Sequence, residues 1–368
     1  MVFSLVVLVV LVVLVAVVGK VIVSQRARER RSLLETKLWR RLAPREQLVV
    51  KGDEPSAELA AVLDGAGGGD WRAAAKYLAE AEAEAEAGAD SGADSRANRR
   101  WMRMEPLSTA ASKEDHWLRR WREEEPRDAA AALLQTDALV QLAWEIRTGR
   151  YASEVTREQA RGFHRVLGEA EQAAREAVEL APAEDPNPWV AQIAIAMGLG
   201  RSNEDFRQLW AEVTARDPHH LRAHEGALQY WCAKWHGSNE LMHAFVDAAL
   251  ADAPAGSLLT SLRVRALFEQ YTRDSAGAAA YRTPEFTAAV DALLADLEQA
   301  DPAHPQLQAA RGWAAWSLVM NARVAHAFEM FEVMGREVAG PWSAYEDPQT
   351  AFHRMRTIAV DAIARATV

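Results

Sequence analysis

The amino-acid sequence predicts an all-α protein in which one N-terminal transmembrane helix precedes an α-solenoid of stacked helical hairpins. Fifteen of the seventeen residues at 2–18 are Val, Leu or Phe. From residue 56 onward, apolar residues recur at helical spacing, with no run of alternating β-branched residues. Pro182, Pro218 and Pro254 stand at an even interval of 36 residues. A fixed period of this length is typical of helical repeats.

Residues 1–23 predict the membrane anchor. A helix over residues 2–23 would be about 33 Å long at ~1.5 Å per residue, which matches a hydrocarbon core of ~30 Å. The alternative is a cleaved signal peptide, which needs a positively charged start and a small-residue cleavage site. No Lys or Arg precedes Lys20, so the pattern favours an uncleaved, single-pass anchor.

Charge predicts the orientation and the location. Residues 20–51 carry ten Lys and Arg against three Glu, whereas the whole chain has a net charge of −10. Because basic residues near a span stay in the cytoplasm, we expect the N-terminus outside and the body on the cytoplasmic side of the cell membrane. A basic neck on an acidic body argues against a nucleic-acid partner and suits a position near anionic lipid.

The rest of the chain divides into three predicted regions. Residues 24–55 form a basic juxtamembrane helix and linker, which Pro44 and "KGDEP" interrupt. Residues 56–155 form an N-terminal helical region, with a flexible loop near 88–95 at "GADSGADS". Residues 156–368 form the repeat region, where Thr156, Ser238 and Thr283 stand at predicted helix starts.

Three segments of the repeat region end a helix rich in Ala and Leu with Ala-Pro or Asp-Pro: "AREAVELAP" (174–182), "LWAEVTARDP" (209–218) and "LLADLEQADP" (293–302). This pattern resembles the tetratricopeptide repeat (TPR), with a period slightly longer than that family's usual one. The resemblance implies stacked hairpins with a groove for a peptide. "LAWEIRTGRYASEVT" and "ALQYWCAKWHGS" are also similar to an uncharacterised, membrane-anchored type of actinobacterial helical protein, which implies no activity.

Residues 215–242 hold four of the ten histidines and the single cysteine. His220 and His224 are four residues apart and could share a metal, but zinc needs further ligands. A helix predicted at 219–235 places His224 on an apolar stripe with Trp231, Cys232 and Trp235. We therefore expect a core histidine and a small buried thiol, with no metal, cofactor or catalytic residue.

These patterns predict a membrane-anchored helical-repeat scaffold, rather than an enzyme, that binds a protein or peptide partner at the cytoplasmic face. The residues expected to face the groove are Gln192, Arg222, Gln229, Tyr230 and Lys234. One alternative is a hydrolase or metal-dependent enzyme with a His-rich site near 217–236. The other is an exported helical protein that acts outside the membrane.

Overall fold

A computed structural model describes residues 20, 24–87, 95–148 and 154–367. This part of the chain is predominantly helical, so the all-α prediction is confirmed for the body. The flexible loop predicted near 88–95 lies outside the described residues, apart from Ser95. The chain divides into two compact units. Unit 1 combines Met1–Lys51 with Arg311–Val368, and unit 2 is Gly52–Ala310.

The predicted transmembrane helix requires a correction of the fold class. Across the described ranges, every helix is too short or too polar to cross a bilayer. The prediction rests on residues 1–23, which lie outside the described residues except for Lys20. The fold class shown for the described residues is therefore a helical body alone, and the location of that body stays a prediction.

Unit 2 is built from helices that follow one another with short connections. They are α2 (Ala57–Gly67), α3 (Trp71–Ala87), α4 (Arg96–Lys113), α5 (His116–Glu124), α6 (Ala129–Arg147), α7 (Arg157–Leu180), α8 (Asn187–Leu199), α9 (Asn203–Arg216), α10 (Leu221–Trp231), α11 (Asn239–Ala251), α12 (Ser261–Arg273) and α13 (Pro284–Gln299).

The helices of unit 2 pack as successive pairs. Helices α6 and α7, α8 and α9, α10 and α11, and α12 and α13 are each in contact. The first members of these pairs also contact one another in order, α6 with α8, α8 with α10 and α10 with α12. This nearest-neighbour pattern is compatible with a helical repeat.

Local sequence accounts for where the repeat helices begin. The Thr156 hydroxyl accepts a bond from the Gln159 N–H, and the Gln159 side-chain oxygen accepts one from the Thr156 N–H. Ser202 and Asp205 form the same reciprocal capping box at the start of α9. Such boxes satisfy N–H groups that have no partner within the helix, so each one fixes a helix start.

Unit 1 brings together two stretches of chain that are far apart in sequence. The first stretch contains α1 (24–39) and the strand β1 (Val49–Val50). The second contains the end of α14 (Leu307–Met320), followed by α15 (Val324–Met334), β2 (Glu337–Val338) and α16 (Pro348–Ala366). Strands β1 and β2 pair in parallel, with Val49 opposite Glu337.

A buried arginine beside an aromatic cluster of the second stretch joins the two stretches. Arg356 on α16 is 1% exposed and donates from Nη2 to the backbone oxygen of Ala43. Beside it, the ring of Phe352 lies 4.8 Å from that of Trp342 and 5.3 Å from that of Phe331. Burial lowers the pKa of Arg356 to about 10. The first stretch is therefore part of the core of unit 1.

Candidate partner-binding cavity

Five helices of unit 2 surround a cavity of about 420 Å³. This volume lies within the range of small-molecule and cofactor pockets, about 300–1,000 Å³. The wall combines polar, charged and apolar side chains: Trp101 and Glu105 from α4; Asp137, Val140, Gln141 and Trp144 from α6; Val190, Ala191, Ile193, Ala194 and Met197 from α8; Arg222, Glu225, Gly226 and Gln229 from α10; and Arg265 from α12.

Helical spacing explains why these residues meet. Helices α6, α8 and α10 are the first members of three successive pairs. On each of them the cavity residues include positions i, i+3, i+4 and i+7, which start at Asp137, Val190 and Arg222. Positions with this spacing lie on one face of a helix. At Gly226 an added Cβ would lie 3.1 Å from Cγ2 of Ile193, so the glycine allows α10 to approach α8 closely.

The charged groups of the cavity pair with one another across helices. Arg222 Nε lies 3.4 Å from Glu105 Oε1, and Arg265 Nη2 lies 2.5 Å from Glu225 Oε1. The side chains of Glu225 and Arg265 are only 14% and 18% exposed. Because side chains held between helices lose little further freedom on binding, these pairs offer a ligand pre-organised donors and acceptors.

Asp137 is the most deeply buried carboxyl of the cavity, at 6% exposure. Its Oδ2 accepts a bond of 2.8 Å from Gln141 Nε2, while Gln141 Oε1 accepts one of 2.7 Å from the Thr109 hydroxyl. Burial raises the pKa of Asp137 to about 6. The charge of the cavity therefore changes close to neutral pH.

Two tryptophans complete the wall. Trp101 is 4% exposed, and the ring of Trp144 packs edge-on against Phe163 at 5.1 Å and Trp235 at 5.4 Å. These contacts fix Trp144 in place. Rigid aromatic side chains supply large contact areas at low entropic cost and are frequent at binding hot spots.

The structure separates the five predicted groove residues. Arg222 and Gln229 line the cavity. Lys234 lies outside its lining and pairs with Glu269 at 2.8 Å, and Gln229 Nε2 also donates to Glu269 at 3.0 Å. Gln192 is outside the lining too, and its side chain donates to the Pro188 carbonyl at 3.1 Å.

Tyr230 was expected to be free on the groove side, and this placement is wrong. Its side chain is 0% exposed, with the ring stacked 3.6 Å from that of Phe206 on α9. Its hydroxyl donates to the Arg201 carbonyl at 2.7 Å. The prediction treats α10 as a helix with one buried face, along its apolar stripe. In the structure α10 packs against neighbouring helices on more than one side, so Tyr230 is buried as well.

Three of the four histidines of the 217–236 segment make hydrogen bonds within the fold. His220 Nδ1 accepts from the Ala223 N–H at 3.2 Å, so its Nε2–H donates to Asn187 Oδ1 at 3.0 Å. His224 Nδ1 donates to the His220 carbonyl at 3.1 Å, and His236 bonds the Met197 carbonyl at 2.8 Å. Within the described ranges, no group of three or more His, Cys, Asp or Glu has the arrangement of a metal site.

The helix expected at 219–235 is shorter, because α10 spans Leu221–Trp231. A Cβ at Gly237 would overlap the Trp231 carbonyl, so this glycine lets the chain fold back tightly after the helix. Trp235 consequently lies off the stripe of α10. Cys232 caps the end of the helix, is 2% exposed and donates to Met242 Sδ at 3.4 Å.

Cys232 is expected to resist thiol reagents in the folded protein. Burial raises the pKa of its thiol to about 12, and the thiolate is the reactive form. Reaction with an aromatic disulfide reagent at pH 8 should be at least about 100-fold slower than in concentrated guanidinium, which exposes the same thiol. Because the chain has one cysteine, the absorbance change reports this residue alone. Equal rates in the two conditions would contradict the burial.

Most residues of the cavity were missed from the sequence, including Trp101, Glu105, Asp137 and Arg265. A usable signal exists between α8 and α10, since the spacing of Val190, Ile193 and Met197 is repeated by Arg222, Glu225 and Gln229. Matching positions of successive helices face the same side of a repeat. A comparison of matching positions on successive helices, rather than of the prolines between the helices, predicts these residues of the cavity wall.

A comparison of the chain with known protein families, curated proteins and solved structures finds no match in any of the three.

Proposed function

We propose that unit 2 is a TPR-like helical-repeat scaffold that binds an extended segment of a partner protein in the cavity. The observation that carries this proposal is the convergence of the same helical face from α6, α8 and α10 on one concave space. Solenoids use such surfaces for binding, because each repeat adds side chains to a continuous wall.

The chemistry of the wall suits a peptide. Val190, Ile193 and Met197 offer an apolar surface for one partner side chain. The Arg222–Glu105 and Arg265–Glu225 pairs place donors and acceptors beside it. A peptide backbone carries both N–H and C=O groups, and it needs both kinds of partner when it leaves water.

The test begins with a photo-crosslinking amino acid at Gln229 on α10 and, as the matched control, at the exposed Gln208 on α9. The full chain carrying each probe is irradiated in its native cells, and the crosslinked partner segment is identified by mass spectrometry. That segment is then synthesised, and its affinity for the purified protein is measured by fluorescence anisotropy.

Gln229→Trp should fill the cavity and weaken peptide binding by at least about tenfold, equivalent to about 1.4 kcal/mol. Gln208→Trp adds the same side chain to α9 and should leave the affinity unchanged. Equal binding by wild type and Gln229→Trp, or crosslinking to the same segment from both positions, would refute the cavity as the binding site.

A further inference from the structure

Helix α1 of unit 1 carries an ordered row of cations on one face. Arg26, Arg30, Leu33, Lys37 and Arg40 follow the spacing i, i+4, i+7, i+11 and i+14. At ~3.6 residues per turn, these positions fall within an arc of about 80°. The Arg40 N–H donates to the Thr36 carbonyl at 3.2 Å, so the last position continues the helix. We call these five residues the cationic stripe.

The stripe faces solvent. All five of its residues are exposed, and Leu33 at its centre is 64% exposed. Leu38 and Leu42 lie off the stripe and are 6% and 4% exposed. The packing of unit 1 therefore holds the helix by another side and leaves the stripe uncovered within the described residues.

Two other arginines of this stretch of chain already have carboxylate partners. Arg31 pairs with Glu35 at 2.7 Å, and Arg41 makes a two-bond contact with Glu332. Among the residues that the structure describes, no carboxylate lies within ion-pair distance of Arg26, Arg30, Lys37 or Arg40. These four positive charges are available to an external anion.

We propose that the cationic stripe adsorbs unit 1 onto the anionic lipid headgroups of a membrane surface. The row from Arg26 to Arg40 extends over about 21 Å, and a planar headgroup layer can contact a straight row along its whole length. The exposed Leu33 can enter the boundary between headgroups and acyl chains, as apolar residues of interfacial helices do. This contact lies along the surface and does not span the bilayer.

Charge distribution favours a lipid over a nucleic acid. Nucleic-acid binders carry a basic face over their fold, whereas this chain has a net charge of −10 and four exposed cations in one row. Each basic residue near an anionic leaflet strengthens membrane binding roughly fivefold. Four of them therefore suffice for reversible adsorption to a membrane surface.

The test compares binding of the full chain to two kinds of vesicle, phosphatidylcholine alone and phosphatidylcholine mixed with phosphatidylserine at a ratio of about two to one. The measured quantity is the ratio of the two partition coefficients in sedimentation. This ratio cancels contributions that do not depend on headgroup charge, including any from the apolar residues 2–18. Neutralising the stripe with Arg26→Gln, Arg30→Gln, Lys37→Gln and Arg40→Gln should lower the ratio on the order of 1,000-fold.

The matched control neutralises four exposed arginines elsewhere, Arg157→Gln, Arg161→Gln, Arg354→Gln and Arg365→Gln, and so has the same net charge. It should keep the ratio within about twofold of wild type, and Leu33→Gln should lower binding to the anionic vesicles severalfold. Circular dichroism confirms that each variant is folded.

Three outcomes would overturn the proposal. The first is an unchanged ratio for the stripe variant, and the second is an equal loss in the control variant. The third is binding of wild type to a DNA duplex that the stripe mutations abolish while vesicle binding persists, since the stripe would then be a nucleic-acid surface.

Discussion

Gly312→Ala is expected to destabilise the protein by about 3 kcal/mol or more, at the upper end of the cost of overpacking. Gly312 lies inside α14, and an added Cβ would overlap the carbonyl oxygen of Ala339, directly after β2. A backbone atom cannot rotate away as a side chain can, so relief requires movement of the chain around β2. Urea unfolding followed by circular dichroism measures the change.

The matched control is Gly168→Ala in α7, where an added Cβ meets nothing within 4 Å. Alanine is the better helix former by about 1 kcal/mol, so this variant should be slightly more stable than wild type. Equal free energies of unfolding for the two variants would mean that α14 and the Ala339 segment are not in close contact.

Acid should weaken the folded state through His220 and His224. Burial lowers the pKa of His220 to about 3 and that of His224 to about 4. The unfolded chain takes up protons below a pKa of about 6.5, whereas the folded chain does not until the pH approaches these lower values. The free energy of unfolding should therefore fall as the pH drops below about 6.5, by about 2 kcal/mol for each histidine between pH 7 and pH 5.

Asp137 acts in the opposite direction, because burial raises its folded pKa to about 6 and its protonation favours the folded state below that pH. Two histidine variants separate the effect of His224 on the pH dependence of the free energy of unfolding from that of Asp137. His224→Gln should lose about 2 kcal/mol of the pH dependence between pH 7 and pH 5 in urea titrations. The exposed His164→Gln on α7 should keep it. A wild-type pH dependence in His224→Gln would contradict the burial of this ring as a neutral group.

Features that depend on local sequence were predictable. The starts of α7 and α11 follow from Thr156 and Ser238, whose capping bonds lie within a single helical turn. The pairing of β1 with β2 could not be predicted, because a two-residue strand has no periodicity and its partner lies in a distant part of the sequence.

The residues of the cavity were also predictable only where local sequence decides their position. Arg222 and Gln229 could be placed there, since a helix has one side opposite its apolar stripe. The burial of Tyr230 depends on Phe206 of the neighbouring helix, which a pattern within α10 does not contain. Asp137 and Arg265 join the wall only through the order in which helices pack. Tertiary packing therefore decides which polar residues become part of a site.

Because unit 1 is built from two distant stretches, its first stretch is synthesised long before the second stretch that it packs against. Residues 24–51 emerge first, but their partners at 311–367 follow only after the whole of unit 2, Gly52–Ala310, has been made. At about 5–20 residues per second, this interval lasts roughly 10 to 50 s. Leu38, Leu42 and Leu48, all buried in the finished protein, have no partner from the second stretch during that time. The nascent chain thus presents a short apolar segment beside a basic helix until the second stretch has been made.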